Sequence, residues 1–196
     1  MTMPAHLLAV ATLLLGFASG ASAHETTGFG GGFSSGFMHP LLGWDHVAAM
    51  VAVGLWGAFL KNPAIWLLPV VFPLVMAVGG ALGVAGVPLP GVEIGIAASA
   101  IVLGSMVLLA LRPPLWVAVT LVGVFALFHG HAHGTELPHA AGPLAYSVGF
   151  VLATGLLHLC GIAFGLLTRW RFGKTLVRAG GAVIALAGAI FLIRAV

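Results

Sequence analysis

Two short stretches hold most of the chemistry in this chain. HPLLGWDH (His39 to His46) carries two histidines and an aspartate, and FHGHAHGTE (Phe128 to Glu136) carries three histidines and a glutamate. On a helix, residues spaced i, i+4, i+7 and i+11 share a face. His39, His46 and Met50 then lie on one face, His129, His133 and Glu136 on another, and His131 points away. Asp45 sits about 100° round the helix from His46. From there it can ligate from a neighbouring face or orient a histidine through a hydrogen bond to the ring nitrogen that faces away from an ion. Neutral imidazole combined with carboxylate suits first-row divalent ions: nickel, cobalt, zinc and copper(II).

The surroundings are apolar. Of 196 residues, 61% are hydrophobic and 6% charged, against about 25% charged in soluble domains, so the chain is an integral membrane protein. Its four acidic residues are Glu25, Asp45, Glu93 and Glu136, and two of them fall inside the histidine stretches. Ionisable groups inside a membrane are costly and default to function. Two clusters that combine five histidines with two carboxylates therefore read as a metal site rather than as packing. The single cysteine, Cys160, has no internal disulfide partner and lies in an apolar run, where it reads as a small core residue.

The elements that position these groups follow from the apolar runs. Residues 1–23 read as a cleaved signal peptide, with an apolar core from Leu7 to Ala18 and the small residues Ala21-Ser22-Ala23 before the cut. The leader lacks Lys and Arg, and the alternative is retention as a seventh helix. Cleavage makes His24 the mature N-terminus, and residues 24–37, HETTGFGGGFSSGF, read as a flexible, glycine-rich extracytoplasmic arm. Six apolar segments follow at about 38–60, 64–86, 93–111, 115–134, 142–168 and 174–195, near the ~20 residues a membrane helix needs. The fold class is thus an all-α integral membrane protein with six transmembrane helices, and 38–196 form the membrane domain. Pro40 suits the first turn of the first helix, with His39 near its N-cap, while Pro69 and Pro73 kink the second. Gly79/Gly83, Gly91/Gly95 and Gly161/Gly165 have the spacing of close helix approach.

With an exported N-terminus, six of the seven basic residues (Lys61, Arg112, Arg169, Arg171, Lys174, Arg178) fall on the cytoplasmic side and only Arg194 falls outside. This topology accounts for the basic excess without nucleic acid and puts both mature termini outside the cytoplasm. On continuous helices His46 lies about 10 Å deeper than His39, and His129 about 10 Å deeper than Glu136. The clusters occupy the same outer layer on helices of opposite direction and can converge. His158 lies past the midplane, as a relay ligand or as a hydrogen-bonded core histidine. His139 falls in an outer loop, and Glu93 at the outer end of the third helix.

At these residues the sequence resembles the HupE/UreJ nickel permeases, whose signatures HPxxGxDH and FHGxAHGxE stand here as HPLLGWDH and FHGHAHGTE. The signal peptide, the histidine behind it and the six-helix layout match as well, so the resemblance spans nearly the whole chain. It implies a secondary permease, not an enzyme, carrying nickel or sometimes cobalt across the bacterial inner membrane. Hydrogenase or urease maturation machinery would be the consumer. Motif matching implicates His39, Asp45, His46, His129, His133 and Glu136. No permanently bound cofactor is implied; Ni2+, or Co2+, is the cargo. The uncharged leader is the departure from the pattern.

Other function classes fit less well. Paired histidines on facing helices can ligate haem iron in a di-haem cytochrome, but Asp45 and Glu136 beside them argue against it. An intramembrane metallopeptidase would carry HExxH, which is absent. Residues 172–175, FGKT, end like a P-loop, but Thr168 stands where its earlier glycine belongs, which excludes an ATP-driven pump for this chain alone.

The arm generates a prediction of its own. A free N-terminal amine beside the His24 imidazole can chelate nickel or copper(II), and a glycine-rich arm of 15 residues to His39 spans about 20 Å r.m.s.. We expect His24→Ala to raise the half-saturation concentration for metal uptake with less effect at saturating metal. Unchanged uptake at limiting nickel, with processing confirmed, would remove the capture role.

Overall fold

A computed structural model describes residues 29–136 and 142–196, and these residues contain seven α-helices, a 3-10 turn and no strand. In chain order they are α1 (Phe29–Leu42), α2 (Trp44–Leu60), α3 (Ala64–Val84), α4 (Val92–Leu108), α5 (Leu115–Glu136), α6 (Pro143–Gly165), the 3-10 turn Leu166–Arg169, and α7 (Gly173–Ala195). Among the described residues four helical stretches are long and apolar enough to cross a membrane, and a fifth arises if α1 and α2 count as one broken span. The 17-residue α4 is apolar but shorter. The chain is a multi-pass membrane protein.

The first apolar segment departs from the sequence expectation. Residues 38–60 are not one helix: Gly43 adopts an extended conformation (φ −84°, ψ 105°) and α1 meets α2 at 79°. Pro40 therefore closes α1 instead of opening the next helix, and His39 lies in the last turn of α1. The glycine-rich stretch read as a flexible arm is helical from Phe29, while residues 24–28 lie outside the described residues. Glycine disfavours helix in water. In an apolar medium, however, the backbone must satisfy its own hydrogen bonds, and here the glycines make the contact surface. A Cβ at Gly36 would collide with the backbone of Tyr146 on α6, and one at Gly149 of α6 would collide with the Phe33 carbonyl. The four-residue spacing of Gly32 and Gly36 was the overlooked signal.

The same device joins the remaining helices. Gly79 and Gly83 of α3 lie against the backbone of Leu127 and His131 on α5, and Gly130 and Gly134 of α5 answer at Met76 and Gly80. Gly54 and Gly161 bring α2 against α6, and Gly104 with Gly181 bring α4 against α7. Gly91 plays a different part: it caps α4 in the left-handed region (φ 71°), and Gly95 makes room for the ring of Phe128.

Trp56, Phe72, Met50, Leu55, Leu68 and Leu103 fill the interior. Large apolar residues such as Trp66, Leu74, Trp116, Leu186 and Ile193 cover the outside, as a lipid solvent requires. Cys160 faces outward too, contrary to its reading as a core residue. Basic residues gather at one end, where Arg112 lies 4.8 Å from the Phe59 ring centroid and Arg178 Nε donates to the Leu108 carbonyl at 2.7 Å. The histidine-bearing ends of α1, α2 and α5 meet at the other.

Backbone contact at glycine makes a specific prediction. Gly130→Ala drives a methyl into the Met76 carbonyl and should cost about 1–3 kcal/mol, whereas Gly155, with nothing within 4 Å of its would-be Cβ, should accept alanine without loss. Thermal unfolding of the two variants in detergent checks this; equal melting temperatures would refute the contact.

Candidate metal site

The break at Gly43 builds the site. Residues seven apart on an unbroken helix lie about 10 Å apart along its axis, yet the rings of His39 and His46 have centroids 6.0 Å apart because α1 and α2 turn toward each other. A depth difference of about 10 Å, expected from one continuous helix, does not fit this 6.0 Å separation. His133 comes in from α5, with its ring 4.8 Å from His39 and 4.5 Å from His46. Each of these three histidines offers one ring nitrogen to a group whose members all lie within 4.8 Å of one another. His129, one turn before His133 on α5, sits beside the group with its ring 5.1 Å from His46.

The hydrogen bonds fix which nitrogens are available. Asp45 Oδ1 accepts from the His46 backbone N–H at 2.8 Å and lies 2.7 Å from His46 Nδ1. An ionised carboxylate only accepts, so Nδ1 carries the proton and Nε2 keeps its lone pair. Of the two roles open to Asp45 in the sequence, orientation of His46 is the one this geometry supplies. On α4, the Ser99 hydroxyl donates to the Ile96 carbonyl at 2.6 Å and so faces His129 Nε2 at 3.0 Å as an acceptor. His129 Nε2 therefore carries the proton and Nδ1 is left bare. His46 Nε2, His129 Nδ1 and both ring nitrogens of His133 are buried without a hydrogen-bond partner. Each such orphan costs about 1–3 kcal/mol, and a cation held by the cluster would satisfy His46 Nε2 and one nitrogen of His133 together.

The other sequence candidates take different places. His131 points away from the cluster, and its Nε2 lies 2.7 Å from the Val87 carbonyl, which ties the α3–α4 connection to α5. Glu136 ends α5, but its side chain, like His24 and His139, lies outside the described residues. Glu93, in the first turn of α4, lines a cavity of about 350 Å³ together with Asp45 and Arg194. Sequence reasoning missed Ser99, Tyr146 and Phe150. The Phe150 ring lies 4.3 Å from His133 and that of Tyr146 lies 6.0 Å from His39. Ser99 gave one usable signal, as one of two hydroxyls, with Ser105, in a largely apolar helix.

Comparison with known proteins decides the family. The model of the HupE/UreJ protein family matches residues 12–191. The chain belongs to the HupE/UreJ family. A relative named Protein HupE, from Rhizobium leguminosarum bv. viciae, is 42% identical over 185 residues, which cover 94% of this chain and 97% of the relative. No solved structure matches. Both motif stretches on which the resemblance rested lie inside the matched region, and in this HupE/UreJ chain they meet in one histidine cluster.

The hydrogen bonding predicts opposite tautomers for two neighbouring histidines. In ¹⁵N NMR of histidine-labelled protein without metal, His46 should carry its proton on Nδ1 and His129 on Nε2. Asp45→Ala should disturb the first assignment only and Ser99→Ala the second only; the same tautomer at both residues would contradict the assignment.

Proposed function

We propose that this HupE/UreJ protein is a secondary permease that passes a divalent transition-metal ion, nickel before cobalt, into the cytoplasm through the His39/His46/His133 cluster. The observation that carries the reading is the approach of three imidazole nitrogens to within 4.8 Å of one another at the meeting of α1, α2 and α5. Neutral imidazoles are favoured ligands of nickel, cobalt, copper(II) and zinc, and the family resemblance selects nickel among them. Asp45 holds His46 in the ligating tautomer, the role that carboxylates play behind metal-bound histidines. Glu136 and the mature N-terminal His24 complete the ligand supply on the outer side.

The cavity shared by Asp45, Glu93 and Arg194 supports an approach route, because it sets two carboxylates against one guanidinium next to the cluster. We read six spans, counting the broken α1–α2 pair as the first and α4 as the third. At 1.5 Å per residue α4 covers about 26 Å, slightly less than a typical hydrocarbon core. The basic end faces the cytoplasm, the mature termini face outward after removal of a signal peptide, and the membrane is the bacterial inner membrane. A divalent ion moving inward gains about 4.6 kcal/mol per 100 mV, so no nucleotide is required. Hydrogenase or urease maturation is the consumer that the resemblance implies.

Uptake of nickel, cobalt and zinc into proteoliposomes or cells tests the reading. His46→Ala, His129→Ala and His133→Ala should each abolish uptake with membrane insertion intact. Wild-type uptake should fall in sufficiently acid medium, because a protonated imidazole cannot ligate. A reporter fused after Val196 should be extracytoplasmic. Near-normal transport by all three variants would overturn the common site.

A further inference from the structure

Tyr146, Phe150, Thr154 and His158 follow one another at four-residue spacing on α6 and share one buried helical face. The first two line the outer cluster through His39 and His133. The last two continue inward, with His158 about 18 Å along the helix from Tyr146. Thr154 is completely buried and His158 is 1% exposed. Thr154 Oγ1 and both ring nitrogens of His158 lack a hydrogen-bond partner. A threonine inside a helix commonly bonds the carbonyl one turn back; this one does not. His158 makes no hydrogen bond of full geometry, and the one polar group it interacts with is the Pro69 carbonyl, so at least one ring nitrogen is uncommitted.

The opposite wall is equally unusual. Pro73 has no N–H to give the carbonyl of Pro69 one turn back on α3. His158 lies close to that carbonyl without meeting it in hydrogen-bond geometry. Both residues line a cavity of about 470 Å³ whose other walls are apolar, among them Val70, Leu152 and Leu156, so the His158 ring and the Pro69 carbonyl are the polar groups it offers. Phe72 stands between the two levels, its ring 5.6 Å from His129 and 5.4 Å from His158.

We propose that His158, Thr154 and the Pro69 carbonyl form an inner station where the ion released from the outer cluster is held in transit. The ligand class is a borderline divalent cation, Ni2+ or Co2+, met by one imidazole nitrogen and two oxygen donors. The station rests on the outer cluster being a divalent-cation site, and the test separates the two.

Full-length protein in proteoliposomes is assayed for Ni2+ and Cd2+ uptake in a Cys160→Ala background. His158→Cys places a soft thiolate at the station and should raise the Cd2+ to Ni2+ uptake ratio at least tenfold, a change of selectivity that a packing role would not produce. His158→Gln, which keeps bulk and polarity but ligates poorly, should lower the saturating Ni2+ rate at least tenfold with the half-saturation concentration within twofold of wild type. Thr154→Val should lower the rate about threefold. His46→Ala, His129→Ala and His133→Ala run alongside. If His46→Ala abolishes uptake while both His158 variants match wild type in rate and ion ratio, the outer cluster stands and the inner station falls. If His46→Ala, His129→Ala and His133→Ala all transport normally, the outer reading falls and the station with it. Should His158→Cys not reach the membrane, the His158→Gln rate decides alone.

Discussion

A polar side chain inside a bilayer must be turned toward other polar atoms, and a straight helix can turn only a few residues the same way at the same depth. The 79° turn at Gly43 relaxes that limit. It lets the end of one short helix and the start of the next present histidines to a single point, where α5 supplies a third. Everything else about the outer end follows. The turn needs α1 to be held against the bundle, and the backbone contacts of Gly36 with α6 and of Gly149 with α1 hold it.

Glycine is thus the structural material of this protein as much as leucine is. Lipid offers no hydrophobic drive for helices to associate, so close van der Waals contact has to supply the energy. Each seam (α1 with α6, α2 with α6, α3 with α5, α4 with α7) is a pair of small faces pressed backbone to backbone. Such seams leave little freedom to slide, which matters where ring nitrogens must stay within a few ångströms of one another. They also leave α3 and α6 less tightly joined, and the apolar cavities beside His133 and His158 open along that line.

Much of this was legible in residue types and spacing. The helical class, the boundaries of the middle helices, the two histidine stretches and the outward turn of His131 can all be read from periodicity and composition. The break at Gly43 could not. HPLLGWDH continues a plausible i, i+7 face, and nothing local distinguishes a glycine that bends the chain from one that merely sits in a helix. The same ambiguity hid α1, where glycines that mark flexibility in water mark contact in lipid. The pairing of Asp45 with His46 was visible as adjacency but not as a choice of tautomer, which depends on where the carboxylate rotates. Ser99 and Phe150 come from other helices, so only the fold brings them to the cluster.

His39 occupies the last turn of α1 and His133 the last turn of α5. A helix ends with its carbonyls outward and carries roughly half a negative charge at that terminus. Two such termini converge on the cluster, while the opposing positive start of α2 is faced by Asp45 in its own first turn. The field there is consequently built into the peptide backbone, and no protonation event can switch it off. It favours a cation over an anion at the cluster, so in the proposed permease role the imidazoles need only choose among cations.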